Sequence, residues 1–167
     1  MLSWSLPSYQ TNAILIGRGA FSGCASLHAI IIPQSVKGIS ARAFHNCQQL
    51  TSMKLPEGLK EIGEEAFYEC TSLQTNVIPP FVKEIGKEAF CQCLELVNVE
   101  LPEGLEEIGK GAFSLCRSLH AIIIPPSVKK IPVRAFHSCS QLTNVELPEG
   151  LEEIGEEAFR KCTSLHA

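Results

Sequence analysis

The sequence predicts a repeat solenoid, a body of short coils stacked along one axis, and three regularities predict it. Phenylalanine recurs at 21, 44, 67, 90, 113, 136 and 159, always 23 residues apart. Cysteine follows three residues after each of them, from Cys24 to Cys162, and leucine three after that, from Leu27 to Leu165. A fixed period of this length marks a stack of equivalent units and outranks any local propensity. Proline adds a fourth column at 33, 56, 79, 102, 125 and 148.

Each unit reads C-x-x-L-x-x-I-x-I/L-P-x-x-V/L-x-x-I-G-x-x-A-F. The apolar spacing is neither the 3.6 of a long helix nor a sustained alternation. Short apolar clusters are instead broken by Pro and Gly, as in coils of short segments joined by corners. Leu27 to Pro33 predicts one short strand with Ile30 and Ile32 on the same side. Val36 to Ile39 predicts a second extended piece, and Ala43-Phe44 with the cysteine predicts a turn, with a single 3₁₀ turn as its candidate form. One coil cannot bury so many apolar columns alone, whereas stacked coils bury them against each other. Parallel strands step by ~4.8 Å, so six or seven coils make a body about 30 Å long.

A longer period lies over the first. Leu27 to Pro33 reappears unchanged as Leu119 to Pro125, and Glu-rich units alternate with units bearing Lys or Arg. Stacking would place Lys129 between Glu106 and Glu152, Lys130 between Glu107 and Glu153, and Arg134 beside Glu157. These predict a solvated face laced by weak cross-coil ion pairs.

Composition narrows the function. With 45% hydrophobic and 19% charged residues the chain is ordinary for a folded domain. The net charge of −4 and the lack of a basic block argue against nucleic acid as a partner. All 18 acidic residues are Glu, which leans against a calcium loop. The longest apolar runs, such as Ile30-Ile31-Ile32, fall far short of the ~20 residues of a membrane helix, so no membrane insertion is expected. Met1 to Pro7 lacks the charged and apolar regions of a signal peptide.

The motif L-x-x-I-x-L-P-x-x-L-x-x-I-G-x-x-A-F-x-x-C, carried by Leu142 to Cys162, resembles the BspA-like, Treponema-type class of leucine-rich repeats. The likeness covers residues 13–167. It implies a β-rich, curved right-handed leucine-rich-repeat solenoid with a parallel sheet on the concave face and short strands or 3₁₀ turns opposite. It also implies a cell-surface or secreted location and an adhesin-like role, without transferring any ligand. The expected organisation is a degenerate N-terminal coil or cap over residues 1–12, containing Trp4 and Leu6-Pro7. A single array of about six to seven repeats follows over 13–167, open at the C-terminus.

Residues that could carry chemistry have plain structural explanations. The seven column cysteines predict a buried apolar ladder, because in-register side chains point the same way and not at one another. No C-x₂-C pair suggests zinc. Cys91 lies in a variable column with Ser22, His45, Tyr68, Ser114, His137 and Arg160, and is expected to be the exposed thiol. His28 and His120 stand four coils apart, hence ~19 Å, as do His45 and His137, too far to share an ion. Without Asp no Ser/Cys–His–Asp set exists. The chain is thus expected not to be an enzyme and to need no cofactor.

The expected function is a non-enzymatic scaffold presenting a concave surface to a protein or glycan. The alternative is a structural element whose coils stack end to end and self-associate. The outward strand positions nominate Ile31, Lys54, Val77, Glu100, Ile123 and Glu146 as partner contacts, a mixed apolar and charged stripe. Three residues break the column rules. Asn76 takes an inward apolar seat and needs backbone partners unless the strand shifts to turn Val77 inward. Leu94 replaces mostly polar residues. Phe81 stands where other coils have Ser or Gly, marking a local interaction spot.

Overall fold

The computed structural model describes residues 14–166, without the side chains of Thr75 and Asn76. The cap expected over residues 1–12 and the side chain of Asn76 therefore lie outside the described residues. Thirteen short strands follow in order: β1 (Ile14–Ile16), β2 (Ala29–Ile31), β3 (Val36–Ile39), β4 (Ser52–Lys54), β5 (Glu61–Ile62), β6 (Thr75–Val77), β7 (Glu84–Ile85), β8 (Asn98–Glu100), β9 (Glu107–Ile108), β10 (Ala121–Ile123), β11 (Lys130–Ile131), β12 (Asn144–Glu146) and β13 (Glu153–Ile154). Among the described residues every strand pairing is parallel and, apart from a register shift at Ile14 and Val36, joins positions one repeat apart, as Ile30 to Met53 and Ile62 to Ile85 show.

Each coil has three sides. Even-numbered strands stack into a first sheet, interrupted between β4 and β6. Odd-numbered strands stack into a second, running unbroken from β1 to β9 and resuming as β11–β13. The third side is an arc of turns through Ala-Phe-x-x-Cys. The register of the first sheet holds through Asn76, paired with Val99, and Val77 stays exposed. The alternative of an inward Val77 is not what forms.

Hydrogen bonding explains the arc. Alternate amides run along the axis: Arg42 N donates to Glu64 O at 2.9 Å, Phe44 N to Ala66 O at 2.8 Å and Asn46 N to Tyr68 O at 2.7 Å. The amides between close turns inside the coil, Ala43 N to Ser40 O and Cys47 N to Phe44 O, both at 3.2 Å. Arg42 and Asn46 have φ of 59°, the positive value that the third residue of a type II turn requires. Among the described residues every positive-φ residue falls in these two columns, from Gly19 to Glu157 and from Gly23 to Lys161. Opposite the first sheet the structure thus has short strands, while the arc is a run of turns and not 3₁₀. A left-handed residue at every fourth position cannot continue a right-handed helical turn. Such residues cost roughly 1–2 kcal/mol apiece when not glycine, which the repeated axial hydrogen bonds offset.

Inside, the phenylalanines form a continuous stack with centroids 5.1 to 5.5 Å apart and planes within 16° of parallel. The rings of Phe44 through Phe136 are fully buried. Offset stacking of this kind adds about 0.5–1.5 kcal/mol per pair beyond the area buried. The cysteine column does more than fill space. From Cys47 onward each thiol of the column donates to the phenylalanine carbonyl one coil back, Cys47 to Phe21 O at 3.1 Å and Cys70 to Phe44 O at 3.2 Å, and so on to Cys162 and Phe136. That carbonyl already accepts one turn hydrogen bond, so the thiol satisfies its second lone pair.

One column favours glycine. A Cβ on Gly109 would lie 2.4 Å from Lys87 N and 2.5 Å from the Gly86 carbonyl carbon, and Gly63, Gly86 and Gly155 are equally tight. Here the backbones of successive coils touch. Ser40 and Pro132 take this seat in the two remaining paired coils.

Candidate functional site

The outer face of the first sheet follows from the two-residue strand period. With Ile30, Met53, Val99, Ile122 and Val145 packed on or against the core, their neighbours along each strand point away. Ile31 is 89% exposed, Val77 61% and Ile123 60%, a high value for β-branched apolar groups. Lys54, Glu100 and Glu146 are exposed in the same column. Strand pairing sets Ile31 beside Lys54, Val77 beside Glu100 and Ile123 beside Glu146. The column therefore runs along the axis, apolar and charged by turns, with its ladder interrupted between Lys54 and Val77. Its flank is small: Ala29, Ser52, Asn98, Ala121 and Asn144. Over β2 and β4 the surface holds a shallow hollow of about 340 Å³ lined by Ala29, Ile30, Ile31, Ser52, Met53 and Lys54.

Phe81 is 63% exposed but lies outside this line, in the turn after β6, where its neighbours in the column are Gly58 and Gly104. Leu94 is half-buried and its carbonyl accepts Ser118 N at 3.2 Å.

The cysteine expectations need two corrections. Cys91 is buried, 6% exposed, while Cys24, at the start of the ladder, is exposed. The reason is the stack itself. Tyr68 and Ser114 occupy the same seat in the flanking coils, and Ser114 is itself buried, so a column variable in sequence need not face water. Burial pushes the Cys91 thiol up to about 12, and the Glu88 carboxylate pushes the same way. Burial likewise raises Cys47 to about 11 and Cys70 to about 12, and raises Cys93 and Cys116 well above the usual thiol range. These five thiols are therefore neutral near pH 7, a poor state for nucleophilic chemistry. All eight cysteines are free.

The histidines serve local structure. His28 and His120 each donate from Nδ1 to a carbonyl two residues back, Ser26 O at 2.8 Å and Ser118 O at 2.6 Å. His45 stacks on Tyr68 with centroids 5.0 Å apart. Burial lowers His137 below the usual imidazole range. Among the described residues no group of three or more His, Cys, Asp or Glu side chains could hold a metal.

Cross-coil ion pairs form at Lys130–Glu153 (2.9 Å), though not between Lys130 and Glu107, and at Arg134–Glu157 (2.6 Å), Lys83–Glu106 (2.9 Å) and Arg42–Glu65 (2.8 Å). Lys129 departs from expectation. Its Nζ donates to Pro126 O at 3.2 Å and lies over Gly150, where a Cβ would come within 2.9 Å. Lys37 over Gly58 and Lys83 over Gly104 repeat the arrangement every second coil. The longer sequence period thus has a physical basis: glycine in one coil makes room for the lysine of the coil before it.

Sequence reasoning missed one feature, a crevice of about 510 Å³ between β9 and β11, lined by Lys110, Lys129 and Lys130 with Glu106, Glu107 and Glu153. A readable signal existed. Pro132 occupies the glycine column and has no N–H to donate.

Three-sided coils, parallel ladders and a stacked phenylalanine core define a leucine-rich-repeat solenoid. The model of the BspA-type leucine-rich repeat region matches six copies over residues 5–93 and 61–167, and the chain belongs to that family. Among solved structures, the chain is similar to a leucine-rich repeat protein of T. pallidum, at 36% identity and a TM-score of 0.91 over 96% of this chain and 76% of that one. A leucine-rich repeat protein from Bacteroides ovatus is 32% identical, with a TM-score of 0.68 over 93% of this chain and 47% of its own. A leucine-rich cell surface protein from Faecalibacterium prausnitzii is 31% identical, with a TM-score of 0.72 over 84% and 46%. The chain thus spans about half the length of the latter two. No curated protein matches it.

Proposed function

We propose that this chain is a non-enzymatic binding scaffold whose first-sheet outer face docks a macromolecular partner, a protein or a glycan, at the cell surface or outside the cell. One observation carries the reading. Ile31, Val77 and Ile123 hold β-branched apolar groups in water, in line with Lys54, Glu100 and Glu146. Core columns are constrained by packing, but nothing in the fold requires isoleucine or valine at these outward seats. Apolar groups set among charges make a recognition surface in which burial supplies affinity and the charges select register. The similar protein from Faecalibacterium prausnitzii, described as a cell surface protein, supports the location. Among the described residues no helix is long and apolar enough to cross a membrane.

The test is the triple variant Ile31→Glu, Val77→Glu, Ile123→Glu against a panel of immobilised extracellular matrix proteins and glycans. Binding should be abolished, while folding stability changes by no more than about 1 kcal/mol because the three side chains face solvent. A bound partner retained by the triple variant with unaltered affinity places the site elsewhere.

A further inference from the structure

The spacing along this face selects one kind of partner. Coil by coil the exposed column reads Ile31, Lys54, Val77, Glu100, Ile123, Glu146. Parallel strands step by ~4.8 Å, so the apolar groups recur at ~9.6 Å with a charge midway between them. The phenylalanine stack in the same coils steps by 5.1 to 5.5 Å, which puts the two-coil interval between roughly 9.6 and 11 Å.

Three regular backbones can lie along such a line, and only one matches both the apolar and the charged positions. A β-strand presents same-face side chains every ~6.6–6.8 Å and falls out of step after one coil. A polyproline II helix repeats its face every ~9.3 Å, which suits the apolar groups. Its two intervening residues point away, however, and leave Lys54, Glu100 and Glu146 with nothing opposite. An α-helix brings residue i+7 back to the same face after ~10.5 Å, and sets i+3 and i+4 on that face at ~4.5 and 6 Å. Those are the heights of the charged seats.

We propose that the partner segment is an amphipathic α-helix lying along the solenoid axis. Apolar residues seven apart pack on Ile31, Val77 and Ile123, an acidic residue between them faces Lys54, and basic residues face Glu100 and Glu146. The small flanking residues Ala29, Ser52, Asn98, Ala121 and Asn144 let a helix approach the sheet closely. Five coil steps separate Ile31 from Glu146, about 24–27 Å, so a helix of roughly 17–19 residues covers the column. This inference rests on the reading that the outer face is the docking surface.

The experiment uses a stapled 21-residue helical peptide with leucine at its first, eighth and fifteenth positions, glutamate at the fifth, and lysine at the twelfth and nineteenth. It is made in both chain directions, since the column does not select polarity. The control has the same composition with leucines six apart. Fluorescence anisotropy against the whole chain should show the seven-spaced peptide binding at least about tenfold more tightly than the control. Lys54→Glu should weaken it a few-fold, and exchanging the peptide's glutamate for lysine should restore it. Equal binding of the two peptides, or none by either, overturns the helix. A proline-rich peptide with leucine at every third position separates the two readings. If it binds the wild-type chain and not the Ile31/Val77/Ile123→Glu variant, the docking face stands and the helix falls. If the seven-spaced peptide binds that variant unchanged, both fall.

Discussion

Two consecutive steps of the second sheet begin from similar sequences and end in different structures. At the step from β7 to β9, Glu106 N donates to Lys83 O at 2.9 Å and Gly109 N to Ile85 O at 2.7 Å, and Ile85 pairs with Ile108. At the next step, from β9 to β11, Pro132 stands in the glycine seat. Ser40, Gly63, Gly86, Gly109 and Gly155 each donate from this seat to the isoleucine carbonyl one coil back, at 2.7 to 2.9 Å. Proline cannot donate, so Ile108 O receives no such bond, the strands separate, and the crevice opens. The other two sides hold. Ala121 still pairs with Asn98, Gly111 N still reaches Val133 O at 3.0 Å, and Phe113 stacks on Phe136 with planes 3° apart. A coil is joined to its neighbour by three ladders, and one can be cut locally without disturbing the rest.

The comparison can be broken most severely through the ladder that both steps share. Phe113 is fully buried and stacked on Phe90 and Phe136. Phe113→Ala should cost ~3–5 kcal/mol, read from denaturant unfolding of the whole chain. A loss below about 1 kcal/mol would mean that the sheets, and not the aromatic stack, join the coils across the crevice.

Gly109→Ala attacks the intact step. The new methyl meets the Gly86 and Lys87 backbones, which cannot give way, and a cost of ~1–3 kcal/mol is expected. An unchanged denaturation midpoint would show that this step can already open as its neighbour does.

Pro132→Gly closes the contrast from the other side. The restored amide can gain ~0.5–1.5 kcal/mol from its hydrogen bond. Losing the proline's restraint on the unfolded chain gives back ~0.4–1 kcal/mol. Net stability should hardly move, so hydrogen exchange is the informative measurement. The new amide at 132 and those of Lys130 and Ile131 should become protected in the variant. Unchanged fast exchange would separate the crevice from the missing N–H.

The smallest expected effect is none. Cys93 and Cys139 donate to Phe67 O at 3.3 Å and Phe113 O at 3.2 Å, on the near and far sides of the altered step. Both should resist thiol labelling of the native protein equally, with exposed Cys24 reacting first. Cys91, its thiol pushed up to about 12, should remain slow at pH 8 and quicken only as the solution is made more alkaline. Faster modification of Cys139 than of Cys93 would show that the crevice reaches the core.

The fold was legible because a strict period makes every coil's neighbour a copy of itself. Contacts one repeat apart follow at once, as do the strand faces and the stripe from Ile31 to Glu146. Pro132 shows where legibility lapsed: its column was visible, but its consequence depended on knowing that the column's amide spans two coils. Lys129 shows another lapse. Charge matching along the chain ignored the groove that Gly150 leaves for a lysine stem.

By itself the sequence determined the repeat, the parallel stacking and the identity of each core column, because those depend only on which residues recur and on the need to bury apolar surface. The tertiary structure alone decided three things. The arc takes left-handed residues such as Glu65 and Leu115, because each amide there must reach the next coil. The second sheet parts at Pro132. Cys91 is buried while Cys24 is exposed, since in a stack a side chain's access to water is set by the residues seated above and below it, 23 positions away in the chain.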